Sequence, residues 1–551
     1  MLFLAAFFSL LLWPAMVLAA WGYTDDGSNY VIDSGSKLVI KVSKTTGDMT
    51  SIKYNGVEYN GYDGKNSHVE SGLGASTVAI QQFSNPYVIK VSVTHGTLKH
   101  YLFVRYGNNN VYIFTNKADD SVTVQRYIVR IPAGIFSDDP DTDTDWIPAD
   151  ASTVEASDVN EDDGTGHTYS KHYSGLKYGR VMDFDYVGYT TDSVGMYMIR
   201  SNHEKASGGP FFRSLQRRGG SGGIDLYDIY YYNMGHTDVM RFGLQGPSVL
   251  SFTDGGAAPN TALFARNADW SWFDGLGIDG WVPSSGRGYV AGVGLKNMKS
   301  GYSYVVGLKN DNAQYWTTAA SSGGAWRIDK VLPGTYTLNV FKGELEVHTS
   351  TVTVKAGAGS AVNSITASDP SDAAAIWRIG EWDGTPRGFL NFGDTPMKPT
   401  YMHPSDSRLA PWDAANYIVG TTAASGFPGY LFQDINNDHV VYFRLTAAQL
   451  AAGAHTVRIG VTEGYIGGRP KIRVNDWDSG ATAAIGQAGT RSLTVGTYRG
   501  NNVMLTWVVP ASAWKQSTTE WQTLTITVIT GSTGAGGFLS GAISIDCVDM
   551  I

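Results

Sequence analysis

Two residues of this chain have side chains suited to moving protons in a polar, aromatic setting. Lys171 lies in Thr168-Tyr169-Ser170-Lys171-His172-Tyr173-Ser174, and His236 closes the run Ile229-Tyr230-Tyr231-Tyr232-Asn233-Met234-Gly235-His236. A lysine removes a proton only when burial or neighbouring cations bring its pKa down from about 10.4. His172, Lys177 and Arg180 are close enough in sequence to supply such cations. A histidine near pKa 6.5 can donate a proton in mildly acidic solution, and Gly235 before His236 lets a substrate approach closely. The plain alternatives are a solvated surface lysine and a core or loop histidine, and spacing alone does not choose between the readings.

Arginine is the side chain that best holds a carboxylate, because its planar fork meets two oxygens and stays charged. In Val122-Thr123-Val124-Gln125-Arg126-Tyr127-Ile128-Val129-Arg130, strand alternation puts Arg126 and Arg130 on one face and Tyr127 and Val129 on the other. Arg130 has a second reading as a structural ion-pair partner. Tyr230 and Tyr232, two apart, offer stacking surfaces for sugar rings or serve as half-buried strand aromatics. The acidic run Asp138-Asp139-Pro140-Asp141-Thr142-Asp143-Thr144-Asp145 lacks the glycine and terminal glutamate of an EF-hand loop, so a solvated loop is the expectation and no metal site is assigned.

The elements that must position these groups are strands. The chain has 66 glycines, 31 tyrosines and 15 tryptophans, with short Val/Ile/Thr runs such as Lys37-Leu38-Val39-Ile40-Lys41-Val42 between turn residues. That pattern predicts an all-β protein, with little helix beyond a short piece at Ala447 to Ala452 that Gly453 stops. A length of 551 residues calls for two to four domains. The apolar run of residues 1–19, ending Val-Leu-Ala, reads as a signal peptide; its length leaves a signal anchor as the alternative. Residues 20–277 then form the first domain and 278–359 a compact spacer. After a polar linker, residues 373–551 form a third domain in which Trp377, Trp382 and Trp412 either stack on sugar or fill the core. The single cysteine, Cys547, excludes intrachain disulfides and reads as a small core residue of a last strand. A net charge of −9 argues against nucleic acid as partner, so an anionic substrate would need a local basic cleft.

The ordered set Ser170-Lys171-His172-Tyr173-Ser174, Ser207-Gly208-Gly209-Pro210-Phe211-Phe212-Arg213, the tyrosine-rich strand into His236, and Arg241-Phe242-Gly243-Leu244-Gln245-Gly246-Pro247 resembles the rhamnogalacturonan lyases of polysaccharide lyase family four, fungal type. The chain departs from relatives that carry cysteines in the first domain, and its acidic insert is long. The resemblance implies a large N-terminal β-sandwich, a fibronectin type III-like middle domain and a C-terminal jelly roll of the carbohydrate-binding kind. It also implies a secreted, extracellular endolyase that breaks the rhamnose-(1→4)-galacturonate bond by β-elimination. In that reading Lys171 is the base, His236 the acid, Arg126 the carboxylate clamp, and Tyr230 and Tyr232 substrate contacts. No cofactor is required, calcium being admitted only as a structural ion. The expected partner is rhamnogalacturonan I, acted on by a monomer with no membrane or nucleic-acid partner. The rival readings are a non-catalytic pectin-binding protein and a glycoside hydrolase with paired carboxylates.

Overall fold

The computed structural model of the chain describes residues 21–119, 121, 124–136, 152–155, 160–162, 164–169, 180–211, 215–220, 222–232, 238–390, 392, 406–407, 412–433, 435–465, 467–486, 502–530 and 541–551. Almost all regular structure among them is strand, as the β-branched and aromatic runs predict. The helix at Ala447–Ala452 is present, opened by a reciprocal Thr446/Gln449 capping box and closed by Gly453 at φ 87°. No helix among the described residues is long and apolar enough to cross a membrane.

The first domain is built on a seven-stranded antiparallel sheet. Its order is Tyr186–Thr190, Val194–Arg200, Gly243–Asp254, Asn110–Lys117, Leu98–Arg105, Tyr87–His95 and Thr77–Ser84. One face, with Val91, Leu102, Ile113, Met198 and Leu250, packs against a four-stranded sheet and the N-terminal meander of residues 22–58. The other face, with Phe103, Phe114, Tyr197 and Val249, is covered by the segment carrying Leu263, Phe264, Phe273 and Ile278. A sheet buried on both sides has no polar face, which is why Val194–Arg200 is buried along its whole length instead of alternating. Phe273 is fully buried in the outer layer, where truncation to alanine would cost about 3–5 kcal/mol.

The middle domain packs the sheet Gln314–Thr318, Tyr304–Lys309, Gly334–Lys342, Leu345–Val354 onto a three-stranded sheet of Trp326–Val331, Gly288–Gly292 and Gly359–Val362. In the third domain two larger sheets share a core of Ile459, Val461, Ile543 and Ile545 from one and Val441, Ile472, Leu524 and Ile526 from the other. Trp377, Trp382 and Trp412 are all buried there, which decides for the core reading of these three. Trp382 donates its indole N–H to Asp549, the carboxylate that also holds Arg378 and Arg458 at 2.9 and 2.6 Å. Cys547 is buried in the last strand, Ala542–Met550, and burial raises its thiol pKa well above the ordinary value.

Candidate active site

The strand Val124–Pro132 runs antiparallel between His68–Val69 and Gly223–Tyr232, with Leu215–Gly220 completing the four-stranded sheet. Alternation sends Tyr127, Val129 and Ile131 into the sandwich core beside Ile224 and Leu226. Arg126, Ile128 and Arg130 take the opposite face, where their cross-strand partners are Ile229, Tyr227 and Asp225. The division of this strand expected from the sequence is therefore present.

The two arginines are not equivalent. Arg130 is buried and meets Asp225 at 2.9 Å, and Asp225 also accepts from Tyr62 at 2.7 Å and Tyr227 at 3.2 Å. Burial opposes the Arg130 charge, but Asp225 and the two tyrosines outweigh it and hold the guanidinium pKa above its ordinary value. That arrangement is a structural ion pair. Arg126 is half-buried at the end of the same face. Its Nη2 donates to Ser71 Oγ at 3.0 Å and its Nε to the Glu70 carbonyl at 3.4 Å, and its guanidinium lies 5.8 Å from the Tyr227 ring centre. Among the described residues no carboxylate pairs with it. An arginine anchored by neutral acceptors keeps its charge available to an incoming anion.

Two groups near Arg126 escaped the sequence reading. Glu70 is half-buried, its Oε2 has no hydrogen-bond partner among the described residues, and burial raises its carboxyl pKa while Arg126 and Lys117 draw it down. His68 is buried beside Arg130 and Arg126; burial pushes its pKa down to about 4, so it adds no charge to this face at neutral pH. Both precede the arginine strand by more than 50 residues, and only the short bridge of His68–Val69 to Tyr127 and Ile128 brings them in.

Tyr230 lies on the inward face by alternation with Ile224, Leu226 and Asp228, and a bulge between Gln125 and Arg126 shifts the register, so that Ile229 opposes Arg126 and Tyr231 opposes Gln125. Its hydroxyl meets Ser248 Oγ at 2.7 Å, Ser248 donates to Asp228, and Asp228 holds the buried Arg200, whose guanidinium lies 4.4 Å over the Tyr230 ring. Tyr230 and Arg126 nevertheless line one small cavity of about 20 Å³, together with Gln125, Tyr127, Gln245 and Ser248. Tyr231 is half-buried and opposes Gln125 across the bulge. Tyr232 pairs through its backbone with Val124, and its side chain lies outside the described residues.

Lys171 and His236 also lie outside the described residues, as does the acidic run Asp138 to Asp145. The chain flanking them is held firmly. Thr168, three residues before Lys171, donates from its backbone N–H and hydroxyl to buried Asp406 of the third domain at 2.7 and 3.0 Å. Asp238, two residues after His236, accepts from Arg241 at 2.7 Å. Arg241 is buried and also donates to the carbonyls of Ala206 and, in the middle domain, Asn310. Arg180, one of the cations expected to act on Lys171, pairs with Asp183 at 2.6 Å and Glu344 at 3.5 Å.

Three family models cover the chain in the order of these domains. They are rhamnogalacturonan lyase B, N-terminal, over residues 21–280; polysaccharide lyase family 4, domain II, over 286–362; and polysaccharide lyase family 4, domain III, over 375–550. Rhamnogalacturonate lyase A of Emericella nidulans is 37% identical over 547 residues, 98% of each chain. Rhamnogalacturonate lyase A of Aspergillus aculeatus is 36% identical over 537 residues, 97% of this chain and 96% of its own. Among solved structures, the Bacillus anthracis TIE protein aligns over 50% of this chain and 38% of its own at 9% identity and a TM-score of 0.13, too slight a likeness to bear on the fold. With relatives matched end to end and all three domain models in sequence, the chain belongs to polysaccharide lyase family 4 and is a polysaccharide lyase.

Proposed function

We propose that this lyase is a secreted rhamnogalacturonan endolyase. It cleaves inside the alternating backbone, at the bond from rhamnose to O4 of galacturonate. Lys171 takes H5, the electron pair of that C–H bond becomes the C4–C5 double bond, and the C4–O4 bond breaks. His236 protonates O4, which leaves as the anomeric hydroxyl of rhamnose. H5 and O4 are axial on opposite faces of the galacturonate ring, so two separate residues suit the geometry better than one. The observation that carries the reading is Arg126, a half-buried guanidinium fixed by Ser71 and Glu70 and free of a carboxylate partner among the described residues, as a uronate clamp must be. Neutralising that carboxylate lowers the cost of charge developing at C5, which is the electrostatic part of the catalysis.

On this reading the uronate needs no metal cofactor, calcium being at most structural, and the enzyme acts as an extracellular monomer after cleavage before Ala20. The reading is tested by supplying equal masses of rhamnogalacturonan backbone and homogalacturonan. The first should be shortened rapidly to mid-sized oligomers and the second left almost untouched. Equal cleavage of both would instead mark a pectate-type specificity. N-terminal sequencing of protein recovered from culture medium checks the start at Ala20.

A further inference from the structure

A cleft of about 950 Å³ opens between the first and middle domains. Neither Arg126 nor Tyr230 or Tyr231 lines it. Its two walls are fixed to one another: Glu204 of the first domain accepts from Arg287 at 2.5 Å and from Tyr315 Oη at 2.6 Å, and its carbonyl takes the Gln314 N–H at 2.9 Å. The cleft is therefore built into the domain junction, a common place for ligand sites.

Its lining has the two components of a sugar site. Trp270 and Trp281 from one side and Trp316 from the other are half-buried aromatics, and Trp316 packs against His203 with the rings tilted by 39° and their centres 4.6 Å apart. Flat aromatic faces match the C–H faces of pyranose rings. Two polar atoms in the lining are buried without a hydrogen-bond partner among the described residues, His203 Nδ1 and Trp270 Nε1. Burial holds the His203 pKa down to about 3, so at neutral pH the ring offers one donor and one acceptor, the pattern that a hydroxyl satisfies.

Charge decides the kind of sugar. Arg266, Arg287 and Arg327 all reach this cleft, and each already holds a carboxylate: Asp185 at 2.6 Å, Glu204 at 2.5 Å and Asp329 at 2.7 Å. A uronate at any of these three would have to displace that carboxylate, and the lining's other cation, Lys330, is already bonded to the Ala268 carbonyl at 2.7 Å, whereas hydroxyls can bond to the paired groups without breaking them. We propose that this cleft is a second carbohydrate site that binds a run of neutral sugar residues, carried either as a branch on the polymer being cleaved or on a separate polysaccharide.

The test is calorimetric titration of the full-length protein with β-1,4-galactotetraose, arabinotetraose and tetragalacturonate. At least one neutral probe should bind, more tightly than tetragalacturonate. Trp316→Ala should weaken it roughly tenfold or more, a loss of about 1.4 kcal/mol or greater. His203→Phe, which keeps a ring against Trp316, should weaken it several-fold, with thermal melts confirming that both variants fold. Turnover of an unbranched rhamnogalacturonan oligomer should be unchanged in both. If a galactan-branched backbone shows a lower KM than an unbranched one and Trp316→Ala removes the difference, the ligand is a branch; if KM does not differ while galactan still binds, it is a separate chain. The proposal is overturned if no neutral probe binds, if tetragalacturonate binds best, or if both variants keep wild-type affinity.

Discussion

Arg126 and Arg130 stand four residues apart on one face of one strand, yet among the described residues only Arg130 is held by a carboxylate, Asp225 at 2.9 Å. One sequence pattern thus contains a structural ion pair and an available cation.

Exchanging the two should separate these roles. Arg126→Lys should lower kcat/KM by about 10- to 100-fold, the range set by losing charge-assisted hydrogen bonds of about 1.5–3 kcal/mol, with little change in melting temperature. Arg130→Ala strands a buried Asp225 and should cost about 3–5 kcal/mol of stability. Steady-state kinetics and denaturant titration of both variants decide it; the reverse assignment would show as a stability loss at Arg126 and a kinetic loss at Arg130→Lys.

Acid should destabilise the fold through its buried histidines. Burial holds His68 and His439 down to about 4, and His100 and His203 to about 3, from an ordinary 6.5. Between those values and about 6.5 the unfolded chain binds protons that the folded one does not, so stability rises with pH across that window and falls on acidification. Melting temperature should drop steadily from pH 7 to pH 4.5, and His439→Phe should make the slope shallower. A flat profile would mean that these rings gain partners when charged.

How much of this was legible beforehand varies by residue. The short helix at Ala447, the strand at Arg126 and the core place of Cys547 were readable, because capping chemistry, two-residue alternation and an apolar final strand are local signals. Tyr230 shows the limit: parity within its own strand is local, but the bulge opposite Gln125 that sets Ile229 across from Arg126 depends on a strand about 100 residues earlier. Glu70 and His68 join through a two-residue strand too short to leave a pattern. The buried chain from Tyr230 through Ser248 and Asp228 to Arg200 draws on three strands, so no spacing within one motif records it.

The third domain rests on Asp549, which accepts from Trp382 and pairs with Arg378 and Arg458. Asp549→Ala should leave two arginines unpaired and cost about 3–5 kcal/mol, seen as earlier loss of that domain in denaturant. An unchanged transition would show that water replaces the carboxylate.

Catalysis should survive exhaustive chelation, since Arg126 is proposed to supply the charge that faces the uronate. Loss of turnover on chelation, restored by calcium, would move that task to a metal.

The central claim is elimination by Lys171 and His236, and the products record it. Cleavage of the rhamnogalacturonan backbone should give oligomers that absorb in the near ultraviolet, from the new double bond conjugated with the carboxylate, and whose masses show no added water. Lys171→Ala and His236→Ala should each lower that absorbance gain by about 10²- to 10⁴-fold while oligosaccharide affinity persists. Fragments one water heavier and without absorbance, or near-normal rates in either variant, would contradict the account.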